Sequence, residues 1–401
     1  MTSSTANLLP CRFDRMEPKM KSIRIGLLAT ALGCAFALQF PATATAQTET
    51  VLYSFGSGTD GGRPLARLIN VNGTFYGTTA YGGIYNKGTL FSFNPQTDAE
   101  TVLWSFGSGT DGQNPYDRLV DVNGTLYGTT AYGGNNGQGT VFSFNLTTGI
   151  ETALWSFGSG KDGVQPGAGL IKVNGVLYGT TYNGGLYGDG TIFSLNLKTD
   201  AETVVWSFGN GTDGHSPNAN MINVNGTLYG TTWGGGSYND GTVFSFNPQN
   251  DAETVLWSFS NNPDGQSPNA GLVNVKGTFY GTTFWGGMYG WGTLFSLNPA
   301  TNSEAVLWSF GNGKDGEEPG SLINVKGKLY GTTEVGGALS QGTVFSFSRK
   351  NNAETIVWSF SNDGTDGENP VGGLINVNGT LYGTTSYGGT YQAGTVYELV
   401  P

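Results

Sequence analysis

One nine-residue phrase dominates this 401-residue chain: VNGTLYGTT at Val122–Thr130, with six near-copies elsewhere. The glycine of its Y-G-T-T segment recurs at spacings of 51, 51, 51, 51, 50 and 52 residues, at Gly77, Gly128, Gly179, Gly230, Gly281, Gly331 and Gly383. A regular period near fifty residues indicates one supersecondary unit that buries its apolar faces against its neighbours. The fold must therefore be built by repetition.

The second copy, over residues 118–157, illustrates the unit. Its segments RLVDV and TLYGTT flank Asn123-Gly124, a pair that favours a two-residue hairpin because both residues tolerate positive φ. After a glycine-rich loop come GTVFSFN and ETALWSF, which are rich in β-branched and aromatic residues. Four antiparallel strands without helical periodicity predict one blade of a β-propeller. Where Lys276 and Lys326 replace the asparagine, a type I turn with a glycine bulge is the alternative hairpin.

The ends of the repeat region predict how it closes. A solenoid would need atypical capping units, but the first and last copies are as regular as the others. The region opens with a lone fourth strand, ETVLYSF at Glu49–Phe55, and finishes with three strands before Pro401. Joined, these segments complete one blade and leave no sheet edge open around the ring. The predicted fold is therefore all-β, a seven-bladed β-propeller of four-stranded blades over residues 47–401.

Residues 1–46 differ in kind from the repeats. Five basic residues precede an apolar run at Ile25–Phe40, and PATATA follows, a pattern typical of a secretory signal peptide. A start at Met16 or Met20 gives a more usual signal length than Met1. ALGC at Ala31–Cys34 resembles a lipoprotein cleavage site only loosely, so ordinary cleavage is favoured over a lipid anchor. The run is too short for a membrane span, and we expect secretion to the extracellular space or the periplasm.

Composition narrows the chemistry of residues 47–401. Both cysteines, Cys11 and Cys34, precede this region, which excludes a disulfide or a thiolate metal site within it. The region carries 13 basic and 27 acidic residues, a net charge of −14 that repels nucleic acid and anionic membranes. A single histidine, His215, excludes a multi-histidine metal centre, and no serine stands in a G-x-S-x-G setting. A non-catalytic monomer without a cofactor is the favoured expectation.

Two sets of repeated side chains are interpreted as structural. Six tryptophans share one position in the fourth strand, with Tyr53 in the seventh copy, and we expect them and the tyrosines of Y-G to pack between blades: Trp104, Trp155, Trp206, Trp257, Trp308 and Trp358. Every connection also contains an Asp-Gly pair, at Asp60, Asp111, Asp162, Asp213, Asp264, Asp315 and Asp366. Turn formation is the favoured role for these aspartates. The alternative is a ring of carboxylates that collects calcium over the channel.

The aromatic residues outside these positions point to a binding site. The Gly-Gly loops and the Asp-Gly connections should open on one face, around the central channel. Copies four and five, which are neighbouring blades, concentrate aromatic and polar residues there, and the candidate ligand-binding residues are Trp233, Trp285, Trp291, Tyr238, Tyr289, His215 and Asp240. Aromatic rings stack on the apolar face of a sugar while amides and carboxylates bind its hydroxyls. The alternative is that these rings pack over neighbouring loops.

The repeat resembles a known one. The phrase N-G-x-L/F-Y-G-T-T, followed by G-G, G-T-x-F-S, and L-W-S-F with D-G-x-x-P, is similar to the tandem repeat of the bacterial GloVer extracellular proteins, and all seven copies carry its main residues. The resemblance implies secretion and a repeat-built scaffold, in a family without catalytic residues to transfer. Members commonly have a C-terminal sorting or anchoring tail, whereas this sequence stops at Pro401, so we expect a soluble exported form.

The sequence therefore favours a secreted propeller that binds a glycan through the aromatic residues of copies four and five. A scaffold that binds envelope proteins is the first alternative, because an acidic rigid ring would suffice for that role. An enzyme acting on polysaccharides through paired carboxylates is the second, although no non-repeated pair stands out as such a dyad.

Overall fold

The computed structural model describes residues 47–361 and 363–401, so the predicted signal peptide at 1–46 lies outside the described residues. They contain no helix long and apolar enough to cross a membrane. Their regular elements are strands: β1 (Thr48–Ser54), β2 (Ile69–Val71), β3 (Thr74–Thr79), β4 (Thr89–Asn94), β5 (Ala99–Ser105), β6 (Val120–Val122), β7 (Thr125–Thr130), β8 (Thr140–Asn145), β9 (Ile150–Ser156), β10 (Ile171–Val173), β11 (Val176–Thr181), β12 (Thr191–Asn196), β13 (Ala201–Ser207), β14 (Ile222–Val224), β15 (Thr227–Thr232), β16 (Thr242–Asn247), β17 (Ala252–Ser258), β18 (Val273–Val275), β19 (Thr278–Thr283), β20 (Thr293–Asn298), β21 (Ser303–Ser309), β22 (Glu317–Val325), β23 (Lys328–Val335), β24 (Thr343–Ser348), β25 (Ala353–Ser359), β26 (Gly367–Glu368), β27 (Ile375–Val377), β28 (Thr380–Thr385), β29 (Tyr387–Gly388) and β30 (Thr395–Val400).

The strands form seven four-stranded antiparallel sheets, arranged in a ring as the blades of a propeller. Blades 1 to 6 consist of strands β2 to β5, β6 to β9, β10 to β13, β14 to β17, β18 to β21 and β22 to β25. A small two-stranded ribbon, in which β26 pairs with β29, accompanies blade 7. Blade 7 has the order β1-β30-β28-β27, with β1 paired to β30 from Thr48↔Val400 to Ser54↔Thr395. The two ends of the repeat region share one sheet, which confirms the predicted closure.

Hairpin turns join the first two strands of each blade. Asn72 and Gly73 in blade 1 have φ values of 54° and 91°, the positive pair that a type I′ turn requires. Lys276 and Gly277 have φ values of 56° and 89°, and the flanking pair Val275↔Thr278 is in register. Lys326 has the same conformation, with φ of 50°. The bulged alternative is therefore wrong at both lysines, because the strand register leaves room for two turn residues only.

Phenylalanine packs against glycine at the centre of each blade. The third-strand Phe193 of blade 3 lies on the second-strand Gly179, so close that an added Cβ would meet its ring at 2.5 Å. The same ring contacts Phe157, at the end of β9 in blade 2, edge-on with centroids 5.0 Å apart. All seven junctions repeat this edge-on pair at 5.0–5.2 Å, with Tyr397 replacing phenylalanine in blade 7. The glycine of Y-G-T-T is thus required by packing.

The predicted packing role of tryptophan and tyrosine is correct but incomplete. Trp206 and Tyr178 of blade 3 pack in one hydrophobic cluster with Leu228 and Phe244 of blade 4, yet the tryptophan is only partly buried. The largest fully buried side chains are mostly the phenylalanines of S-F and G-T-x-F. The sequence analysis did not single them out, although S-F recurs in every copy and G-T-x-F in six of the seven.

Each Asp-Gly aspartate is buried at a junction between blades. Asp111 accepts hydrogen bonds from Trp104 Nε1 at 3.1 Å and from the backbone N–H of Gly107 at 3.0 Å. Equivalent bonds join Tyr53 to Asp60, Trp257 to Asp264 and Trp308 to Asp315. These contacts support the structural interpretation, in which the aspartate holds its own loop and the aromatic donor of the preceding strand.

A fourth-strand glutamate faces each aspartate from the next blade. One carboxyl oxygen of each is buried without a hydrogen-bond partner, in Glu49, Glu100, Glu151, Glu202, Glu253, Glu304 and Glu354. Burial, followed by the charge of Asp162, raises the pKa of Glu202 from 4.5 to about 8. The pKa of Glu100 rises to about 7, and the pKa values of the other five rise to about 8. Burial therefore favours protonated glutamates at these junctions near neutral pH.

Gly179→Ala tests the contact between glycine and phenylalanine. We expect the free energy of unfolding to fall by about 1–3 kcal/mol, because the new methyl group would displace the Phe193 ring from a filled core. Urea unfolding followed by tryptophan fluorescence measures the change. Gly62→Ala is the control, since an added Cβ there would meet Ala393 at an ordinary 3.4 Å. Equal effects of the two substitutions would contradict the assignment.

Glu202→Gln tests the buried carboxyl groups. The unfolded chain loses the Glu202 proton near pH 4.5, whereas the folded chain keeps it to about pH 8, so raising the pH through this window favours unfolding. We expect Glu202→Gln to be more stable than the wild type at pH 8 and to show no such gain at pH 4.5. Asp200→Asn, in the adjacent exposed turn, should leave the pH dependence unchanged. The measurement is urea unfolding of both proteins at several pH values. The prediction would be refuted if the free energies of unfolding of the wild type and Glu202→Gln changed in parallel with pH.

Candidate functional site

Antiparallel pairing brings the Gly-Gly loops and the Asp-Gly connections to one face of the ring. In blade 1, Thr79 at the end of β3 pairs with Thr89 at the start of β4, which pairs with Ser105 at the end of β5. The loop after β3 and the connection after β5 therefore leave the sheet at the same edge. We call this side the upper face, and it agrees with the arrangement predicted from the repeat.

An axial cavity of about 330 Å³ lies where the seven blades meet. Its wall consists mainly of the segments between the proline of each connection and the first strand of the blade. Phe284, which follows the second strand of blade 5, and Glu334, near the end of the second strand of blade 6, complete the wall. Every blade contributes, through Leu65, Tyr116, Gly167, Asn218, Asn269, Gly320 and Val371.

The cavity wall is where the repeat loses its regularity. The first residue after the proline differs widely among blades, from tyrosine to glycine to asparagine. The position directly before the recurring apolar residue varies as much, being Arg67, Arg118, Gly169, Asn220, Gly271, Ser321 and Gly373. The sequence analysis missed these residues. The sequence feature that could have identified them is their variation from copy to copy. They lie between a proline and an apolar residue that recur in every copy.

Blade 6 departs furthest from the repeat. It has one residue fewer between Pro319 and Leu322, which accounts for the spacing of 50, and its first strand extends through the connection. Glu317 of β22 pairs with Val335 of β23, with an irregular register between Pro319 and Leu322. This extension places Glu318 beside the second-strand end of the same blade, so that Glu318 and Glu334 both line the cavity.

A polar network spans the cavity from blade 2 to blade 4. Asn220 donates from Nδ2 to Asp117 Oδ1 at 2.9 Å, passing blade 3 where Gly169 has no side chain. A Cβ at Gly169 would lie 2.4 Å from Asn220 Oδ1, a buried oxygen without a hydrogen-bond partner. Asn218 donates to Asn269 at 3.0 Å on the same side. Burial raises the pKa of Asp117, and its bond from Asn220 opposes this. The network therefore holds amide and carboxylate groups at the cavity wall.

An aromatic cluster stands beside this network, in blades 4 and 5. Trp233 lies 5.7 Å from Phe284 and 5.5 Å from Trp285, and Phe284 lies 5.2 Å from Trp285, measured between ring centroids. Phe284 lines the cavity, while Trp285 is 38% exposed. The cluster thus presents ring surface to solvent at the upper mouth of the cavity.

The acidic residues of blade 6 face this cluster. Burial raises the pKa of Glu318, while a hydrogen bond with Trp285 lowers it. Burial and the charge of Glu318 raise the pKa of Glu334, and the nearby Arg63 lowers it. Two interacting carboxyl groups thus stand next to the aromatic cluster.

Tyrosines and an arginine form the opposite side of the mouth. The Arg63 guanidinium lies 4.5 Å from the ring centroid of Tyr387 and 5.4 Å from that of Tyr81. Tyr116 lines the cavity, and its ring lies 6.5 Å from that of Tyr132. Burial, followed by its contact with Tyr81, raises the pKa of Tyr116 to about 12. Aromatic groups therefore occupy two sides of the mouth.

The structure distributes the seven candidate residues over three places. Trp233 and Trp285 lie together beside Phe284, and His215 is adjacent, with its backbone paired to Gly234. Asp240 and Trp291 occupy equivalent positions at the bases of two Gly-Gly loops, where their carbonyl groups accept bonds from Ser267 and Glu318. Tyr238 and Tyr289 are exposed at the loop tips. None of the seven is among the residues that line the cavity.

Calcium coordination by the Asp-Gly ring gains no geometric support. The aspartates are buried at the blade junctions and are absent from the cavity wall. Across residues 47–361 and 363–401, no group of three or more His, Cys, Asp or Glu side chains is placed to hold a metal ion. In the stretch with Asp363, Asp366 and Glu368, Asp363 accepts bonds from Thr365 and from the Asp366 backbone, as a turn residue does.

Comparison with known proteins agrees with the repeat. Residues 29–244 and 217–401 match the family model described as the Gloeobacter/Verrucomicrobia repeat, which supports the resemblance noted in the sequence. No curated protein matches.

Solved structures with a similar fold share little sequence. The extracellular domain of a putative one-component system from B. thetaiotaomicron has a TM-score of 0.59 at 11% identity, covering 89% of this chain and 40% of that one. A puromycin-hydrolyzing peptidase of Mycobacterium tuberculosis has a TM-score of 0.53 at 9% identity, covering 82% and 50%. A computationally designed protein has a TM-score of 0.50 at 13% identity, covering 85% and 98%. At these identities the likeness concerns the fold alone.

Proposed function

The chain belongs to the Gloeobacter/Verrucomicrobia repeat family, and we propose that this member is an exported, non-enzymatic propeller that binds carbohydrate at the upper mouth of its axial cavity. One observation carries the proposal: residues that break the repeat converge on the cavity and on its upper mouth, where the rings of Phe284 and Trp285 lie near side-chain amides and carboxylates. The leader at residues 1–46 supports export.

The arrangement suits a sugar for physical reasons. Phe284 and Trp285 offer ring faces to the apolar side of a pyranose, and Asn218, Asn269 and Glu318 offer donors and acceptors to its hydroxyl groups. Because the mouth rests on seven rigid blades, little ordering is needed on binding, which favours affinity. Trp233 supports the cluster from the neighbouring blade.

Phe284→Ala and Trp285→Ala test this function. We expect each to weaken binding about tenfold or more, because a central aromatic contact contributes strongly to an interface. The assay is a panel of immobilised oligosaccharides, with calcium and with chelator, followed by calorimetry on the best ligand. Melting temperatures should change little for Trp285→Ala, since its ring is partly exposed.

Trp291→Ala is the matched control, because it is a tryptophan of the same blade at the base of an outer loop. It should keep full affinity. Loss of binding in Trp291→Ala with retention in Phe284→Ala would move the site from the cavity mouth to the base of the blade 5 Gly-Gly loop. No binding to any saccharide by the folded protein would refute the proposed function.

A second candidate function, a protein-binding scaffold, rests on the tips of the Gly-Gly loops. Large apolar side chains are exposed there in six blades, at Ile84, Tyr85, Leu186, Tyr187, Tyr238, Met288, Tyr289, Leu339 and Tyr391. Surface clusters of this kind mark contacts between proteins. Under this alternative, Ile84→Ser with Met288→Ser would abolish capture of an envelope protein while leaving saccharide binding unchanged.

A further inference from the structure

The arginines of the described residues are unevenly distributed. Residues 47–401 contain four, and three of them, Arg63, Arg67 and Arg118, lie in the connections that lead into blades 1 and 2. The fourth, Arg349, donates to the Gly327 carbonyl in a turn that joins strands on the opposite face. In a region with a net charge of −14, this grouping forms a local cationic wall on one side of the cavity.

Arg67 and Arg118 occupy the same repeat position in neighbouring blades, and both line the axial cavity. Burial and the charge of Arg118 lower the pKa of Arg67 to about 10, so its guanidinium remains protonated at neutral pH. No carboxylate is among the groups that affect Arg67, whereas Asp117 interacts with Arg118 and is itself bonded to Asn220. The two guanidinium groups of blades 1 and 2 therefore repel each other, while the carboxyl groups of Glu318 and Glu334 line the cavity at blade 6.

An anion in the cavity would relieve this repulsion. Guanidinium groups bind carboxylate and sulfate through two parallel hydrogen bonds, and such charge-assisted bonds are stronger where water is partly displaced. A neutral sugar would supply no negative charge to either guanidinium group. The volume of about 330 Å³ is at the lower end for a ligand pocket, which suits the terminal unit of a saccharide chain.

We propose that the ligand is an acidic saccharide, whose carboxylate or sulfate group binds between Arg67 and Arg118 while its ring lies toward Phe284. This proposal rests on the proposed function and specifies its substrate class. The anionic group defines the orientation of the sugar, because the arginines of blades 1 and 2 and Phe284 of blade 5 line different parts of the same cavity.

The test compares oligogalacturonate, a sulfated galactan oligosaccharide and neutral galactan oligosaccharide of equal length by calorimetry with the purified protein. We expect at least one acidic ligand to bind about tenfold or more tightly than the neutral one, with an affinity that falls as sodium chloride increases. The carboxylate and sulfate ligands identify which anionic group is preferred.

Arg67→Gln and Arg118→Gln should each weaken binding of the acidic ligand about tenfold, because each removes a charge-assisted contact. Arg349→Gln removes the same charge on the opposite face and should have no effect. Thermal melts establish that each variant is folded. Retention of affinity in both cavity variants, or equal binding of neutral and acidic ligands, would overturn the proposal.

The outcomes distinguish the proposal of an acidic ligand from the proposed carbohydrate binding on which it rests. Binding of a neutral saccharide that depends on Phe284 but not on Arg67 would refute the acidic ligand and keep the carbohydrate site. Displacement of the oligosaccharide by inorganic sulfate at comparable concentration would also count against the proposal, because the arginines would then bind a free anion. Absence of all saccharide binding would refute both.

Discussion

The propeller depends on one contact that recurs at each junction: a phenylalanine that lies on a glycine of its own blade and meets, edge-on, the aromatic ring at the end of the previous blade. Phe193, Gly179 and Phe157 show it clearly, with ring centroids 5.0 Å apart. Because the seven sheets pack against one another around a closed ring, this contact must fit seven times at once for the blades to close. The strictness of the Y-G-T-T and G-T-x-F-S segments follows from that requirement.

The junctions also contain a polar layer that follows the same sevenfold pattern. Tyr53 donates to Asp60 at 2.7 Å, and Glu100 of the next blade faces the same carboxylate. The pKa of Glu100 is raised to about 7. Burial is the main cause, and the neighbouring aspartate adds to it. Some of the acidic residues of the protein therefore lie inside the ring and not only on its surface. There they make the free energy of unfolding depend on pH.

The cavity is the place where a rigid scaffold permits variation. Residues that follow each proline point to the axis without taking part in the glycine and phenylalanine contacts, so their identity can change without opening the ring. Gly169 illustrates the result, because the absence of a side chain in blade 3 lets Asn220 of blade 4 reach Asp117 of blade 2. A repeat that is uniform at its junctions can thus carry an asymmetric site, with arginines on one side and aromatic rings on the other.

The sequence by itself determined the seven blades, their four strands and the closure of Thr48–Ser54 against Thr395–Val400, because turn chemistry and strand alternation are local and the period is visible. It also indicated Trp233 and Trp285, which stood out as tryptophans outside the repeated positions. Only the tertiary structure decided the cavity wall. Asn220 and Asp117 are 103 residues apart, and Arg67 and Phe284 meet one cavity only when the ring closes. Such proximity arises from the circular arrangement of blades, which no local pattern encodes.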